Sequence, residues 1–272
     1  MSRIKGCFEK LKTDGQTALI TYITAGDPEP WVTVPMLHAL VDAGADIVEL
    51  GIPFSDPMSD GPVIQKACER ALKNDMSIDR VLEMVGQFRE NDKETPIVLM
   101  GYANPIEAMG YQSFADKAQE VGVDGVLTVD MPPEESEEYL SIMSSNDIDT
   151  IFLVAPTTSV ERMEKIAKHA RGFIYYVSIK GVTGTAELDV AEVANKMTLL
   201  RQCTDLPLGV GFGIRDGKSA AAVSEVADAV VVGSTLVRCI EEHANKPEEL
   251  PAALAALLTE MRYAINARDM SE

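Results

Sequence analysis

The sequence predicts an α/β fold, namely a single (β/α)₈ barrel over residues 1–272 with an extra N-terminal helix and additional helices. Three observations support this prediction. Short apolar runs rich in β-branched residues alternate with longer helical patterns, the runs number eight, and they recur about every 30 residues, the length of a βαβ unit. A doubly wound open sheet is the alternative, and the count of eight favours the closed barrel.

The predicted elements follow one another without a low-complexity linker. Ile4, Cys7, Phe8 and Leu11 stand at helical spacing, which predicts an amphipathic first helix that ends near Asp14-Gly15. The eight strands are then predicted at Ala18–Thr24, Ile47–Gly51, Pro96–Gly101, Gly125–Val129, Thr150–Val154, Phe173–Ser178, Leu208–Phe212 and Ala229–Gly233.

Helical patterns fill the intervals between these strands. Pro28 and Pro132-Pro133 stand where a strand gives way to a helix, and Gly44 and Gly122 follow helices as C-terminal caps do. The interval between the second and third strands is long enough for a loop and two helices. The other helical patterns cover Val32–Ala43, Ser113–Val121, Glu134–Ser145, Val160–His169, Val190–Cys203 and Lys218–Val226.

Composition and charge narrow the class of function. Lys and Arg total 24 against 43 Asp and Glu, a net charge of −19, which argues against nucleic acid and anionic membrane surfaces as partners. Four distant cysteines without a Cys-x-x-Cys pair are typical of a reducing compartment, and the three histidines form no metal-binding pattern. Because there is also no signal-peptide pattern and no apolar run of the roughly 18 residues that a membrane span needs, we expect a cytoplasmic, metal-free enzyme of small molecules.

Glu49 is an acid inside the otherwise apolar strand Ile47–Gly51. Alternation along a strand puts Ile47, Glu49 and Gly51 on one face, and in a barrel that face can point inward near the carboxyl end. A carboxyl that is removed from water has a raised pKa, which suits general acid/base catalysis near neutral pH. The alternative is a buried glutamate that is ion-paired for structural reasons.

Further acids lie at strand ends. Asp60 belongs to the Pro- and Gly-rich loop Pro53–Pro62, and long βα loops are where barrel sites are built. Asp56, on the same loop, is more typical of a turn before Pro57. Asp130 follows the fourth strand, where helix capping and a functional role are both open.

Glycines follow three adjacent strands. They occur in Gly181-Val182-Thr183-Gly184 after strand six, Gly211-Phe212-Gly213 after strand seven and Gly233-Ser234 after strand eight. Free backbone N–H groups in such turns form the usual phosphate site of a barrel. Since the net charge repels anions, local dipoles would have to hold the phosphate. Neither a dinucleotide fingerprint nor a P-loop motif is complete.

Large apolar and aromatic residues also fall at strand ends. Core packing explains most such residues in any barrel, but their position around a pair of carboxylates and a phosphate site favours a flat, apolar substrate. These residues are Tyr22, Met100, Leu127, Leu153, Tyr175 and Phe212.

Several of these motifs together resemble one family. Val48–Pro57, followed by Asp60-Gly61-Pro62, resembles the most recognisable stretch of the tryptophan synthase α subunit family. The resemblance runs from the N-terminal helix to beyond Gly233-Ser234, nearly the whole chain. The family's other signatures are matched at Tyr22–Pro28, Gly181–Gly184 and Gly209–Ile214.

The resemblance implies a (β/α)₈ barrel that cleaves indole-3-glycerol phosphate to indole and glyceraldehyde 3-phosphate by a retro-aldol reaction. It implies that Glu49 is the general acid/base, that Asp60 faces the indole N–H, and that Tyr175 orients the catalytic glutamate. The implied phosphate site is Gly184, Gly213, Gly233 and Ser234, and the implied lid residue is Thr183. The implied indole pocket consists of Tyr22, Met100, Leu127, Leu153 and Phe212.

The resemblance also implies a partner. That partner is a β subunit in an α2β2 heterotetramer, which uses pyridoxal phosphate to join the indole to serine. Pyridoxal phosphate is therefore expected only in the β subunit and no cofactor in this chain. The expected docking surface surrounds the barrel mouth, and its candidate contacts are Pro53, Phe54, Asp56, Pro57, Asn104, Pro105 and the segment Met131 to Glu135.

The chain departs from the family pattern in places. Tyr22 stands where Phe is more familiar, Ile179-Lys180 precedes Gly181, and Thr185-Ala186-Glu187 lacks the arginine that is often found there.

Two other functions are considered. Another phosphate-binding barrel enzyme of the same pathway would need a catalytic Lys or Cys at a strand end, where only Lys180 stands. A non-catalytic regulatory subunit is disfavoured because Glu49 and Asp60 are both present.

Overall fold

The computed structural model describes residues 2–178, 189–211 and 213–269. Eight parallel strands form a closed barrel in chain order, and β1 pairs with β8 to complete it. The closed barrel confirms the predicted fold class and excludes the open sheet. The strands are β1 Ala18–Thr24, β2 Ile47–Gly51, β3 Ile97–Gly101, β4 Gly125–Thr128, β5 Asp149–Val154, β6 Ile174–Val177, β7 Leu208–Gly211 and β8 Ala229–Val232.

Twelve helices are present in the described residues, most of them on the outside of the barrel. Their apolar faces pack on the outward residues of the strands in one continuous core. Short 3₁₀ turns stand at Pro30–Val32, Pro133–Glu135 and Pro247–Glu249. The helices are α1 Arg3–Thr13, α2 Thr33–Asp42, α3 Pro62–Leu72, α4 Ile78–Asn91, α5 Ala103–Met109, α6 Tyr111–Val121, α7 Glu137–Ser145, α8 Val160–His169, α9 Val190–Arg201, α10 Gly217–Ser224, α11 Ser234–Glu242 and α12 Leu250–Asp269.

Helix α1 forms where the apolar spacing predicts a helix, and it closes the amino end of the barrel. Ile4, Phe8 and Leu11 are buried in the same cluster as the inward residues of the strands, and the rings of Phe8 and Phe173 lie 5.9 Å apart. The Arg3 guanidinium reaches the Asp124 carboxylate at 2.8 Å. Helix α1 thus fills the amino end of the barrel interior.

Two helical regions between β3 and β5 differ from the prediction, and a third agrees with it. A separate helix α5 precedes α6, and Gly110, with φ 88°, joins the two. The predicted helix from Glu134 is divided into a 3₁₀ turn and α7, with Ser136 between them in a non-helical conformation. The two helices expected between β2 and β3 are confirmed as α3 and α4.

No helix among the described residues is long and apolar enough to cross a membrane.

Candidate active site

A cavity opens at the carboxyl ends of the strands, where the active sites of (β/α)₈ barrels lie. It joins the loop after β2 to the turns after β7 and β8. Residues from most of the strands or their following loops line it: Tyr22, Glu49, Ser59, Asp60, Ile64, Met100, Val129, Leu153, Tyr175, Val177, Gly213, Ile214, Val231, Gly233 and Ser234.

A wider groove, of about 720 Å³, lies at the opposite end of the barrel beside α1. Its charged groups are largely paired with one another, as in the bonds between Arg201 and Asp228 and between Lys5 and Glu9. Asp149 accepts a hydrogen bond from the Ser2 hydroxyl. Because the groove is far from the strands' carboxyl ends and several of its charged groups are paired with one another, we place the candidate site at the barrel mouth.

Glu49 is fully buried on the inward face of β2, in register with Tyr22 of β1. Neither of its carboxyl oxygens has a hydrogen-bond partner among the described residues. Burial alone raises the pKa of this carboxyl from its ordinary 4.5 to about 8. Within the described structure Glu49 is therefore not the ion-paired structural residue of the alternative interpretation; at neutral pH it is a protonated, unengaged acid.

Asp60 lies on the loop after β2, at the rim of the same cavity. Its Oδ2 atom accepts a hydrogen bond of 3.0 Å from the Tyr102 hydroxyl, and its backbone oxygen accepts one of 2.9 Å from the Gln65 side chain. Burial raises the pKa of this carboxyl, and the Tyr102 hydrogen bond opposes the rise. The cavity thus contains two carboxyls in different surroundings, one without a partner and one held by a phenol.

Tyr22 and Tyr175 enter the cavity from strands β1 and β6. Each ring leans over the last residue of the next strand, so that the Tyr22 hydroxyl covers Gly51 and the Tyr175 hydroxyl covers Gly211. Burial, and then the charges of Glu49 and Asp60, raise the pKa of the Tyr175 phenol. Tyr175 therefore stays protonated and can act as a hydrogen-bond donor but not as a base.

The added hydroxyl of Tyr22 has a partner inside the barrel. It lies 3.3 Å from the Thr24 hydroxyl, and the Tyr22 side chain is almost completely buried. Tyr22 contacts the small cluster formed by Ile64, Ala67 and Cys68 of α3. The departure from Phe is therefore accommodated by a hydroxyl on the same strand.

The apolar residues predicted for the pocket occupy two levels. Met100 and Leu153 line the cavity, whereas Leu127 does not. Leu127 is fully buried in the inner layer of the barrel with Ile151 and Phe173. Three valines that were not predicted line the cavity instead, namely Val129, Val177 and Val231. Alternation could have found them, because each stands two residues beyond an inward-facing residue.

The turns after β7 and β8 form the other end of the cavity. Gly213 has φ 79°, a left-handed conformation that favours glycine, and a Cβ added at Gly233 would lie 3.5 Å from the Cβ of Tyr22. Ser234 begins α11, whose first-turn N–H groups have no partner within the helix. Thr183, Gly184 and Phe212 lie outside the described residues, as do Ile179, Lys180 and Thr185.

Two further acids at strand ends, Asp56 and Asp130, have structural partners, and the contacts of Asp56 agree with the predicted turn. The Asp56 side chain accepts a hydrogen bond from the Ser55 hydroxyl at 2.6 Å, and its backbone oxygen accepts one from the N–H of Met58, as in a turn. The Asp130 carboxylate accepts the N–H of Ala103, the first residue of α5, at 2.8 Å. Asp130 thus caps the helix after the neighbouring strand.

In the described part of the chain, no group of three or more His, Cys, Asp or Glu residues is arranged to hold a metal ion. All four cysteines are free thiols.

Comparisons with known proteins agree with this geometry. A sequence model of the family "Tryptophan synthase alpha chain" matches residues 8–266. The tryptophan synthase alpha chain of Nitrosococcus oceani is 57% identical over 269 residues, which is 99% of each chain. The crystal structure of tryptophan synthase subunit alpha from Legionella pneumophila superposes with a TM-score of 0.91 at 46% identity, covering 98% of this chain and 99% of that one.

A chain in the crystal structure of the tryptophan synthase complex from Pyrococcus furiosus is also similar. It has a TM-score of 0.79 and 36% identity, and the alignment covers 90% of this chain and 98% of that one. Identity above half over nearly the full length, a matching family model and a shared barrel point the same way. The chain belongs to the tryptophan synthase alpha chain family.

Proposed function

We propose that this chain cleaves indole-3-glycerol phosphate to indole and glyceraldehyde 3-phosphate. The observation that carries the proposal is Glu49, a fully buried acid without a partner among the described residues, at the bottom of a cavity whose rim holds Asp60. Family membership supplies the reaction; Glu49 suits its proton transfers, and the Asp60 carboxylate suits the positive charge that develops on the indole ring.

The cleavage needs a proton at C3 of the indole ring. Glu49 is protonated at neutral pH because burial raises its pKa to about 8, so it can deliver that proton. The indole then carries positive charge at its nitrogen. The Asp60 carboxylate, whose ionised form the Tyr102 hydrogen bond favours, stabilises this charge.

The carbon–carbon bond breaks as the glyceryl hydroxyl next to the ring loses its proton. We assign this second transfer to Glu49 as well, because it has become a carboxylate by giving up the first proton. One proton enters at C3 and one leaves the hydroxyl, so the glutamate returns to its starting form. Tyr175, a phenol whose pKa is raised, is assigned to orient the Glu49 carboxyl.

The phosphate of the substrate is assigned to the turns after β6, β7 and β8. Gly213, Gly233 and Ser234 support this part of the proposal, since they line the cavity at the start of α11. Gly184 and the lid residue Thr183 belong to the same assignment by family resemblance. Met100 and Leu153 would face the indole ring, as would Phe212, while Leu127 would support that wall from the layer below.

The partner proposed for this chain is a β subunit, in an α2β2 heterotetramer. We expect pyridoxal phosphate in that subunit and not in this chain, since the cleavage itself needs neither a metal nor an electron-sink cofactor. The Pyrococcus furiosus chain similar to this one comes from a tryptophan synthase complex. The free thiols support a cytoplasmic, reducing location.

The docking surface is proposed at the barrel mouth, where indole leaves. Phe54, Asp56 and Asn104 are at least partly exposed there, whereas Pro53 is buried and supports the surface from behind. Met58, which the sequence did not single out, adds an apolar side chain that is 78% exposed. We also propose that residues 1–272 form one domain, since α12 returns to pack on α2 and α10.

Incubation of the purified chain with indole-3-glycerol phosphate tests the proposal. Both products are quantified, and we expect indole and glyceraldehyde 3-phosphate in equal amounts. Another phosphate-binding barrel enzyme would consume the substrate without releasing indole, and a regulatory subunit would leave it intact. Glu83→Gln is a matched control for Glu49→Gln, because Glu83 is an exposed glutamate on the outer helix α4.

A further inference from the structure

Tyr102 links Asp60, on the loop after β2, to the end of the neighbouring strand β3. It directly follows β3 and precedes α5, and its side chain is only 3% exposed. Its hydroxyl lies 3.0 Å from Asp60 Oδ2 and 3.0 Å from the backbone nitrogen of Ser59. One side chain thus contacts two consecutive residues of the loop after β2.

The two bonds fix the direction of the Tyr102 proton. The Ser59 N–H can only donate, so the tyrosine oxygen accepts from it. The phenolic proton is then left for Asp60, whose carboxylate accepts it. The ring is held as well, because Phe54 of the same loop packs against it in a tilted arrangement, with ring centroids 5.1 Å apart and an angle of 30°.

The remaining oxygen of Asp60 is left for a ligand. Among the described residues, Asp60 Oδ1 has no hydrogen-bond partner, while Oδ2 is occupied by Tyr102. A donated hydrogen bond stabilises the ionised form of a carboxyl. The arrangement therefore leaves one oxygen of a cavity-lining carboxyl unengaged, and the Tyr102 hydrogen bond opposes the rise in pKa that burial causes.

We propose that Tyr102 is a positioning residue for the cleavage reaction, which holds the Asp60 carboxylate ionised and in the orientation that meets the indole N–H. The inference rests on the proposed function, since it concerns the same site. Tyr102 does not line the cavity and acts only through Asp60.

Tyr102→Phe is the test, because it removes the hydroxyl and keeps the ring that packs against Phe54. A lost hydrogen bond to a charged group predicts a fall in kcat of about 10- to 100-fold, with a smaller change in KM. The acid limb of the pH–rate profile moves to higher pH, because Asp60 is protonated more easily without its donor. In the Asp60→Asn background, Tyr102→Phe should cause little further loss.

Tyr139→Phe is the matched control. Tyr139 is also buried, and its hydroxyl lies 2.9 Å from the Thr128 hydroxyl, away from the cavity lining. The Tyr139→Phe substitution removes a comparable hydrogen bond, so it should lower the stability of the chain without shifting its pH–rate profile. Carboxyl NMR of the ligand-free chain adds a readout that does not depend on turnover, namely a rise in the pKa of Asp60 in Tyr102→Phe.

The outcomes separate the two proposals. If the wild-type chain does not cleave indole-3-glycerol phosphate, the proposed function fails, and NMR still decides whether Tyr102 controls Asp60. If the wild type is active but Tyr102→Phe keeps its kcat, its acid limb and its Asp60 pKa, the positioning role is refuted. Equal losses in Tyr102→Phe and Tyr139→Phe with unshifted profiles would also refute it, since they indicate a structural effect alone.

Discussion

The hydroxyl of Tyr175, on β6, occupies the position that a Cβ atom on Gly211, at the end of β7, would take. The side chain thus reaches across to the neighbouring strand and rests on bare backbone. Gly211 is not needed here for a left-handed backbone, since its φ lies outside that region. Gly211 instead leaves room for the Tyr175 side chain, and this packing holds the Tyr175 phenol beside Glu49.

Gly211→Ala should therefore displace Tyr175. Because the backbone conformation accepts alanine, the effect comes from overpacking, which destabilises by about 1–3 kcal/mol. We expect a lower midpoint of chemical unfolding together with a lower kcat for indole release. Gly6→Ala is the control: nothing lies within 4 Å of its added Cβ, and alanine in the interior of α1 should be neutral or stabilising. Full activity in Gly211→Ala would show that the position of Tyr175 does not matter.

Glu49→Gln should nearly abolish cleavage while the chain still folds. Glutamine keeps the shape of the side chain but carries no transferable proton. Loss of general acid/base catalysis typically lowers the rate roughly 10²–10⁴-fold, and the loss is larger if one group serves two steps. Indole release is measured in parallel for Glu83→Gln, which should match the wild type. A Glu49→Gln chain that keeps half of its activity would remove this residue from the mechanism.

The same substitution should stabilise the protein at neutral and alkaline pH. The pKa of Glu49 is about 8 in the folded chain and near 4.5 when unfolded. Between these values the unfolded chain has lost the proton and the folded chain keeps it, so wild-type stability falls as pH rises through this range. At pH 7 the loss is about 3 kcal/mol, from 1.36 kcal/mol per pKa unit.

The measurement is the difference in unfolding free energy between Glu49→Gln and wild type from pH 5 to pH 9. The advantage of the variant should grow with pH and level off above about 8. Glu83→Gln, at an exposed glutamate of α4, is measured over the same pH range as the control. A difference for Glu49→Gln that does not change with pH would mean that the folded carboxyl titrates normally.

Local sequence patterns were sufficient to predict the barrel. β1 and β2 begin and end where their β-branched runs do, and Glu49 was recognisable because an acid inside an apolar strand needs a reason. Helix α5 was missed because it is only seven residues long, with Pro105 in its first turn, so its pattern is that of a loop. Proline is tolerated there because first-turn N–H groups lack helical partners anyway.

Two features of the site depend on tertiary structure. The alternation of residues along β4 predicts which face of the strand Leu127 occupies, but not how deep in the barrel it lies. Leu127 pairs in register with Met100, yet only Met100 lines the cavity. The bond between Tyr102 and Asp60 joins residues 42 positions apart in sequence. No periodicity encodes such a contact, because it depends on the path of the loop after β2.

Gly213→Val should weaken binding of the substrate phosphate. The side chain would block approach to the backbone N–H groups at the start of α11, and losing hydrogen bonds to a charged group should raise KM by about tenfold or more. Gly15→Val is the control for backbone strain, since Gly15 has φ 66° against 79° for Gly213 but lies between α1 and β1. Both variants should lose stability, and only Gly213→Val should lose affinity. A ligand-bound structure with the phosphate elsewhere would contradict this assignment.

The β subunit should accelerate cleavage by contacting the loop that carries Asp60. Met58 is 78% exposed and stands two residues before Asp60, so a partner seated on it also constrains the catalytic loop. Titration of the purified chain with its β subunit should raise the rate of indole-3-glycerol phosphate cleavage to a plateau. Met58→Asp should require about tenfold more β subunit to reach half of its own plateau, because apolar anchors dominate such interfaces.

Tyr263→Asp is the matched control for this titration, since Tyr263 is 76% exposed but belongs to α12 rather than to the barrel mouth. Each rate is expressed relative to the variant's own rate without partner, so that changes in basal activity do not enter the comparison. If complex forms while the rate stays flat, the coupling of the loop to the partner fails. If no complex forms at micromolar concentrations, the assignment as a subunit fails. A stand-alone indole-3-glycerol phosphate lyase then becomes the better interpretation, because both carboxyls of the cavity, Glu49 and Asp60, belong to this chain.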